Sequence, residues 1–264
     1  MSITTVGNHL IHYEVLGRGQ PVVFVHGWLG SWRYWWPTMQ ALASHHRSFA
    51  IDFWGFGDSS KEKSRYSLDD YAEMLEAFRD KLGIMRPMHL VGHAMGAAAA
   101  LKYTRKYPEQ VNKLTAVSLP VHGTYVNARL TNTGPDDFVS RVLGKSNSFT
   151  EIDSELRKTD PLAMNTLAQE LVDSELLDDV ANCPRPLLLI YGGQDEVVLP
   201  PTGEHDYLQR SGNNRYYVSL DNCHHFPMLQ ERNKFNRLLL DFLLTDEEEL
   251  TELIPKEYWQ RRVR

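Results

Sequence analysis

Val91-Gly92-His93-Ala94-Met95-Gly96 is the stretch that decides the fold of this 264-residue chain. It continues an apolar run that begins at residue 88, and it leads into a helix-like run over residues 94–107. Its two glycines have the spacing Gly-x-Ser-x-Gly, with alanine at the position of the serine. This pattern predicts a sharp turn from a buried strand into a helix, with the central side chain presented at the end of the strand.

Ala94 lacks the hydroxyl that serine would place at this turn, so it offers no atom that can attack a substrate. A side chain with a Cβ tolerates the strained backbone of such a turn poorly, at a cost on the order of 1–3 kcal/mol. A scaffold without chemistry would gain from glycine at this position. Alanine is what remains when only Oγ is removed from serine. The function therefore depends on whether the partners of the missing serine are present.

Short apolar runs alternate with helix-like runs along most of the chain. The strand predictions are residues 4–6 paired with 10–16 through a turn at Gly7-Asn8, then 22–25, 49–51, 88–91, 114–117, 187–191 and 216–220. The helix predictions are residues 32–44, 67–82, 94–107 and 234–244. Such alternation is typical of an α/β fold with a mainly parallel, doubly wound sheet of about eight strands.

Residues 120–182 break this alternation, since they contain no convincing strand and have helix-like pieces at 136–143, 151–158 and 162–177. We expect a single domain of residues 1–264, with a core of residues 1–119 and 183–264 and a helical cap formed by the insertion of residues 120–182. The acidic run at residues 246–249 and the arginines that follow predict a solvated surface helix at the end of the chain.

A net charge of −6, with the charges scattered, gives no basic stripe and argues against nucleic-acid binding. The first residues lack the features of a signal peptide, and no segment approaches the ~18 consecutive apolar residues of a membrane span. We therefore expect a cytoplasmic protein without a membrane span. Cys183 precedes one predicted strand and Cys223 follows its neighbour, a separation that argues against a disulfide. No coiled-coil heptad is evident, so the sequence favours no particular oligomeric state.

Three further motifs follow predicted strands. The first is His26-Gly27-Trp28-Leu29-Gly30, and the second is Asp52-Phe53-Trp54-Gly55-Phe56-Gly57-Asp58-Ser59, with the pattern D-x-x-G-x-G-x-S. The third consists of Asp195 after residues 187–191 and His225 after residues 216–220. Together with the turn at Ala94, these motifs closely resemble the α/β-hydrolase superfamily over essentially the whole chain.

The resemblance implies a catalytic order of nucleophile, acid and histidine, which here falls on Ala94, Asp195 and His225. It favours His225 over His224 as the base, and Asp195 over Asp221 as the acid that orients it. The backbone N–H groups of Trp28 and Met95 correspond to the oxyanion hole. Such a site needs no cofactor and no metal.

Other residues near these motifs are expected to play supporting parts. Asp52 and Ser59 are expected to bond nearby backbone in a structural turn. Most of the aromatic residues at positions 28–36 are expected to pack in the core, with Trp28 beside the site. The residues expected to line an apolar substrate pocket are His26, Gly27, His93 and Trp54.

The leading interpretation is a carboxylesterase-like hydrolase acting on a small-molecule ester of a small to medium hydrophobic acid or alcohol. Its nucleophile is replaced by alanine, as in an inactive variant that holds substrate or product unreacted. Loss of the serine lowers kcat on the order of a millionfold, so this chain is expected to be nearly inactive.

Two alternatives remain open. One is a naturally non-catalytic ligand-binding or sensor protein, and the other is a hydrolase that acts on thioesters, lactones or carbon–carbon bonds. Carbon–carbon bond hydrolases of this fold tend to have asparagine at the position of His93, which weakens that possibility. Cys223 is disfavoured as a replacement nucleophile because it lies in the segment that carries His225, away from the oxyanion hole.

Overall fold

The computed structural model describes residues 2–28, 30–132, 152, 154–155, 157–210 and 214–246. Its strands are β1 (Ser2–Val6), β2 (His9–Gly17), β3 (Gln20–Val25), β4 (His46–Ile51), β5 (Met88–His93), β6 (Val111–Val117), β7 (Leu187–Gly192) and β8 (Arg215–Leu220). Its α-helices are α1 (Trp36–Leu42), α2 (Leu68–Lys81), α3 (Met95–Lys106), α4 (Arg129–Asn132), α5 (Pro161–Val172), α6 (Leu177–Ala181), α7 (Pro227–Gln230) and α8 (Arg232–Leu244). Short 3₁₀ helices lie at Trp32–Trp35, Pro108–Gln110, Gly123–Tyr125 and Gly203–Gln209.

The described strands form one eight-stranded sheet in the order β1-β2-β4-β3-β5-β6-β7-β8. β2 pairs antiparallel with both β1 and β4, and from β4 to β8 every neighbouring pair is parallel. The predicted hairpin at Gly7 is present, and Gly7 has a positive φ of 58° that suits its turn. The α/β class and the mainly parallel sheet are therefore confirmed.

Burial along the strands explains why their sequences differ. Every residue of β5 and β7 is buried, as expected for central strands of a sheet that has helices on both faces. In contrast, β8 alternates between buried and half-buried residues, and β1 has exposed residues on one face, because both lie at edges of the sheet. Continuous apolar runs in the sequence thus correspond to the middle of the sheet.

The helices depart from the predictions mainly at their ends. The helix predicted over residues 32–44 is divided into the 3₁₀ helix Trp32–Trp35 and α1, with a proline near the start of α1. The helix predicted to reach residue 177 ends with α5 at Val172. The prediction for residues 136–143 lies outside the described residues, as do part of the 151–158 piece and the chain beyond Asp246. No helix in the described ranges is long and apolar enough to cross a membrane.

Helix α5 contacts the loops that follow β3 and β4. The indole Nε1 of Trp28 donates to the carbonyl oxygen of Met164 at 2.7 Å. At the start of the helix, the N–H of Asp160 donates to the carbonyl oxygen of Gly55 at 2.7 Å, and its carboxylate accepts from Tyr66 Oη at 2.9 Å. These hydrogen bonds hold α5 against the carboxyl end of the parallel strands.

A buried basic cluster lies where β4, β5 and β6 begin. His46 and His89 are each 2% exposed, and their ring centroids are 5.6 Å apart. Burial, reinforced by nearby positive charges that include Lys113, lowers the pKa of His46 to about 4 and that of His89 to about 3. Both side chains are therefore neutral in the folded protein near pH 7.

We expect this cluster to make the fold sensitive to acid. Between about pH 6.5, the ordinary pKa of histidine, and pH 4, the unfolded chain takes up protons that the folded chain excludes, so the free energy of unfolding falls as the pH falls. His89→Gln should flatten this dependence by up to about 1.4 kcal/mol per pH unit. Chemical denaturation from pH 7.5 to 4.5 measures the slope, with His122→Gln, a half-buried histidine outside the cluster, as the control. Equal slopes for the two variants would contradict the assignment.

Candidate active site

The predicted strand–turn–helix at Ala94 is present. β5 ends at His93, α3 begins at Met95, and Ala94 between them has φ 47° and ψ −113°. The N–H of Ala94 donates to the carbonyl oxygen of Val117 on β6 at 2.8 Å, which fixes the turn to the sheet. A non-glycine residue with positive φ is uncommon, and this one is 3% exposed at the carboxyl end of the central strands.

The two glycines of the motif provide the clearance that this turn requires. A Cβ on Gly96 would collide with the carbonyl oxygen of His26, at the end of β3. A Cβ on Gly92 would lie 2.6 Å from the Cα of Ala97, in the first turn of α3. The Gly-x-Ala-x-Gly spacing therefore lets the helix start directly against two strands.

Asp195 and His225 are brought together at the ends of β7 and β8. His225 Nδ1 lies 2.9 Å from Asp195 Oδ2, and the two residues are only 5% and 2% exposed. The N–H groups of Val197 and Val198 donate to Asp195 Oδ1 at 2.8 and 3.0 Å. The carboxylate is thus held by its own loop as well as by the imidazole.

The electrostatics of this pair favour an ionised acid. Burial alone would raise the pKa of Asp195, but the adjacent His225 and the N–H groups of Val198 and Val197 outweigh burial and lower the pKa. An ionised carboxylate can only accept, so the Nδ1 of His225 carries a proton. In the neutral imidazole, Nε2 then has a free lone pair, which is the state that a general base needs.

Backbone contacts hold the acid loop against the histidine loop. The N–H of Gly193 donates to the carbonyl oxygen of Leu220 at 3.0 Å, and that of Gln194 to Cys223 at 2.9 Å. A Cβ on Gly192 would collide with the carbonyl oxygen of His224. The glycine pair before Asp195 therefore sets the spacing between acid and base.

The alternative candidates for acid, base and nucleophile are Asp221, His224 and Cys223, and each is in a different environment. Asp221 is exposed and accepts from Ser219 Oγ at 3.1 Å, while the backbone N–H of His224 donates to Gln230 Oε1 at 2.8 Å. The thiol of Cys223 is buried, which raises its pKa to about 12, so it is protonated at neutral pH and is not an activated nucleophile.

The loop after β3 lies directly against the turn of residues 93–95 around Ala94, which we call the elbow. A Cβ on Gly27 would be 3.3 Å from the Cβ of Ala94. The N–H of Gly27 donates to Tyr34 Oη at 2.5 Å and is therefore engaged within the protein. The next amide along the loop is that of Trp28. Met95 is the first residue of α3, where an N–H has no acceptor within the helix. These are the two N–H groups that the sequence singles out for an oxyanion hole.

The residues predicted to line a pocket fall in different places. His26 is fully buried, with Nδ1 2.8 Å from the carbonyl oxygen of Gly27 and Nε2 accepting from Phe53 N–H at 3.0 Å. Burial lowers the pKa of His26, so the ring is neutral, and both of its nitrogens bond the protein backbone. Trp54 lies beside His9, with ring centroids 5.8 Å apart, in a cleft bordered by the β1–β2 hairpin.

Asp52 has the structural part expected from the sequence. Its carboxylate accepts from the N–H groups of Trp32 at 2.8 Å and Asp58 at 3.1 Å, and from His12 Nδ1 at 2.8 Å. Ser59 Oγ donates to the Asp52 carbonyl oxygen at 2.6 Å. His12 is the partner that the sequence did not reveal, because it lies on β2, far from the motif.

Comparison with known proteins agrees with this architecture. A match to the alpha/beta hydrolase fold family spans residues 20–155, about half of the chain. The chain therefore belongs to the α/β-hydrolase family.

Individual relatives show how far the likeness extends. The chain is 26% identical to 2-hydroxy-6-oxo-6-(2'-aminophenyl)hexa-2,4-dienoic acid hydrolase of Metapseudomonas resinovorans, across 88% of this chain and 86% of the relative. It is 35% identical, across 47% of its length, to the dihydrolipoyllysine-residue acetyltransferase component of the acetoin cleaving system of Pseudomonas putida, but it spans only 34% of that protein. The enol-lactonase from Burkholderia xenovorans LB400 has the same fold, with a TM-score of 0.78 over 92% of this chain and 100% of the lactonase at 17% identity. Hydrolases are thus among the proteins that this chain resembles over most of its length.

We expect glycine to be tolerated much better at position 94 than within α3, which follows it. Ala94→Gly relieves the strain of the left-handed backbone, about 1–3 kcal/mol, whereas Ala98→Gly loosens an ordinary helical residue and destabilises by about 1 kcal/mol. The free energy of unfolding of Ala94→Gly should therefore exceed that of Ala98→Gly by about 2–4 kcal/mol in chemical denaturation. Equal losses from the two substitutions would show that position 94 is unstrained.

Proposed function

We propose that this chain has the active site of a serine-type hydrolase from which only the nucleophilic hydroxyl is missing, at Ala94. In this proposal His225 is the general base, Asp195 orients it, and the N–H groups of Trp28 and Met95 form the oxyanion hole. The observation that carries the proposal is the buried, 2.9 Å contact between His225 and Asp195, at the same edge of the sheet as the elbow. A pocket that only binds a ligand does not require such a pair.

With serine at position 94, the reaction proceeds through an acyl-enzyme. Oγ attacks the ester carbonyl carbon while His225 Nε2 takes the hydroxyl proton, and the N–H groups of Trp28 and Met95 stabilise the negative oxygen. Collapse of the tetrahedral intermediate breaks the bond to the leaving alkoxide, which receives the proton from His225. A water molecule, activated by the same imidazole, then releases the acid and restores serine.

With alanine at position 94, neither covalent step can begin. Loss of the nucleophile in a serine hydrolase lowers kcat on the order of a millionfold, and the remaining catalysis comes from the oxyanion hole and from binding. The chain would therefore hold an ester close to the base without cleaving it.

The proposed substrates are carboxylic esters of small to medium hydrophobic acids or alcohols. Apolar side chains support this choice, because the elbow lies among buried residues and Trp28 is 5% exposed beneath α5. We propose that residues 120–182 form a cap over this site, since α5 contacts the loop that carries Trp28. An apolar, covered site favours substrates that lose little hydration on binding.

A second candidate function is ligand binding without catalysis, and Ala94 itself favours it. Lactones and thioesters need the same attack on a carbonyl carbon, and the enol-lactonase with this fold makes a lactone a reasonable second substrate to assay. The dienoic acid of the Metapseudomonas relative is a third. Carbon–carbon bond hydrolases of this fold tend to have asparagine at the position of His93. Here both ring nitrogens of His93 are bonded within the protein, which argues against carbon–carbon bond cleavage.

We expect Ala94→Ser to gain esterase activity, because it restores the one missing atom of the proposed site. Hydrolysis of short-chain p-nitrophenyl esters should rise on the order of a millionfold over the unsubstituted chain, and a fluorophosphonate probe should label the serine. Ala94→Gly is the control without a hydroxyl. A folded serine variant that neither turns over nor labels would refute the hydrolase proposal and favour ligand binding.

The assignment of the base is tested within the Ala94→Ser variant. His225→Ala should reduce kcat on the order of a millionfold, because no other group can take the serine proton, whereas His224→Ala should leave it within about threefold. Steady-state kinetics on the same ester measure both effects. Similar losses from the two substitutions would remove the support for His225.

A further inference from the structure

A continuous chain of buried hydrogen bonds connects the loop after β3 with the loop that carries His225. The N–H of Gly27 donates to Tyr34 Oη at 2.5 Å, and Tyr34 Oη lies 3.1 Å from His93 Nδ1. His93 Nε2 lies 2.8 Å from the carbonyl oxygen of His225. Tyr34 is fully buried and His93 is 1% exposed, so water does not compete for these groups.

The chemistry of the Gly27 N–H, the Tyr34 hydroxyl, the His93 ring and the His225 carbonyl fixes which atom donates in each of these hydrogen bonds. The His225 carbonyl oxygen can only accept, so Nε2 of His93 carries the proton. In a neutral imidazole Nδ1 is then an acceptor, and it must receive its hydrogen bond from the Tyr34 hydroxyl. The remaining lone pair of that hydroxyl accepts from the Gly27 N–H. Every donor has one acceptor, and reversing any member would leave a buried polar atom unpaired.

The protonation states agree with this direction. Burial, and then the neighbouring His225 and His26, lower the pKa of His93 well below its ordinary value, so the ring is neutral. Burial raises the pKa of Tyr34 well above its ordinary value, so the hydroxyl retains its proton. A protonated His93 would direct a second N–H at a hydroxyl that is already donating.

Close packing reinforces the hydrogen bonds. The position that a Cβ on Gly27 would occupy is 2.8 Å from His93 Nδ1, so glycine is required for the loop to approach the ring. The rings of His93 and His225 lie 4.5 Å apart between centroids, and the rings of Tyr34 and His93 meet edge to face at 5.6 Å. The loop after β3, the elbow and the loop that carries His225 thus meet at His93.

We propose that Tyr34 and His93 are positioning residues, which hold the backbone of His225 at a fixed distance from the loop after β3, across position 94. Asp195 orients the imidazole of His225, and His93 fixes the backbone from which that imidazole extends. The catalytic consequence rests on the proposed function, whereas the hydrogen-bond chain itself does not.

The first experiment uses the chain with Ala94 unchanged and needs no activity. In the protein labelled with ¹⁵N-histidine, the nitrogen chemical shifts should show His93 as the neutral tautomer protonated at Nε2. Tyr34→Phe removes the donor to Nδ1, so the Nδ1 resonance of His93 should move to that of a ring nitrogen without a hydrogen bond while Nε2 keeps its proton, and the Nδ1 proton of His225 should exchange faster with water. Finding His93 protonated at Nδ1 in the unsubstituted chain would overturn the proposal without any variant.

The second experiment measures kinetics in the Ala94→Ser variant. Tyr34→Phe should lower kcat by about 10- to 100-fold and change KM by less than about threefold, because a misplaced base slows the chemical step and leaves binding intact. Tyr103→Phe is the matched control, since Tyr103 is also fully buried and its hydroxyl donates to Glu76, between α3 and α2. An unchanged kcat in Tyr34→Phe, or equal losses from both substitutions, would overturn the positioning role. If Ala94→Ser itself is inactive, the proposed function fails. The ¹⁵N spectra still decide whether the hydrogen bonds from Gly27 through Tyr34 and His93 to His225 are present.

Discussion

The left-handed backbone at Ala94 is the constraint on which the rest of the site depends. A strand can turn into a helix within one residue only if that residue accepts φ 47° and if the flanking chain has no side chains in the way. Gly92 and Gly96 remove those side chains, and Gly27 allows the neighbouring loop to approach the Cβ of Ala94. The strain, about 1–3 kcal/mol, is held by the sheet and helix on either side. Position 94 is therefore fixed in space before any catalytic group is considered.

Parallel strands bring the other groups to this point. β5, β7 and β8 all end at the same edge of the sheet, so residues that are distant in sequence follow one another in space. The loops of Asp195 and His225 are joined by backbone hydrogen bonds, and His93 connects the histidine loop back to the elbow. The imidazole is consequently held from two sides, by a carboxylate at Nδ1 and through its own backbone carbonyl. Rigid elements rather than long side chains set the geometry.

The sequence was sufficient to predict the features that depend on local pattern. Runs of apolar residues gave the parallel sheet, and the order of motifs along the chain selected Asp195 and His225, which the structure places in contact. It was not sufficient for contacts between distant surfaces. Tyr34 looked like one core aromatic among several, because its hydroxyl meets His93 only after the 3₁₀ helix Trp32–Trp35 packs against β3 and β4. Trp54 adjoins a site motif in sequence, yet its ring turns toward the β1–β2 hairpin.

The strained backbone at Ala94 and the buried Asp195–His225 pair together support the proposal of a hydrolase site over that of a pocket that only binds a ligand. Burying a carboxylate such as Asp195 is unfavourable unless hydrogen bonds compensate, and here two amides and His225 are needed to keep it ionised. A binding pocket could replace that pair with apolar residues at little loss of stability. It could also relieve Ala94 with glycine. Neither simplification is present, and in the proposed function both features serve proton transfer from a hydroxyl at position 94.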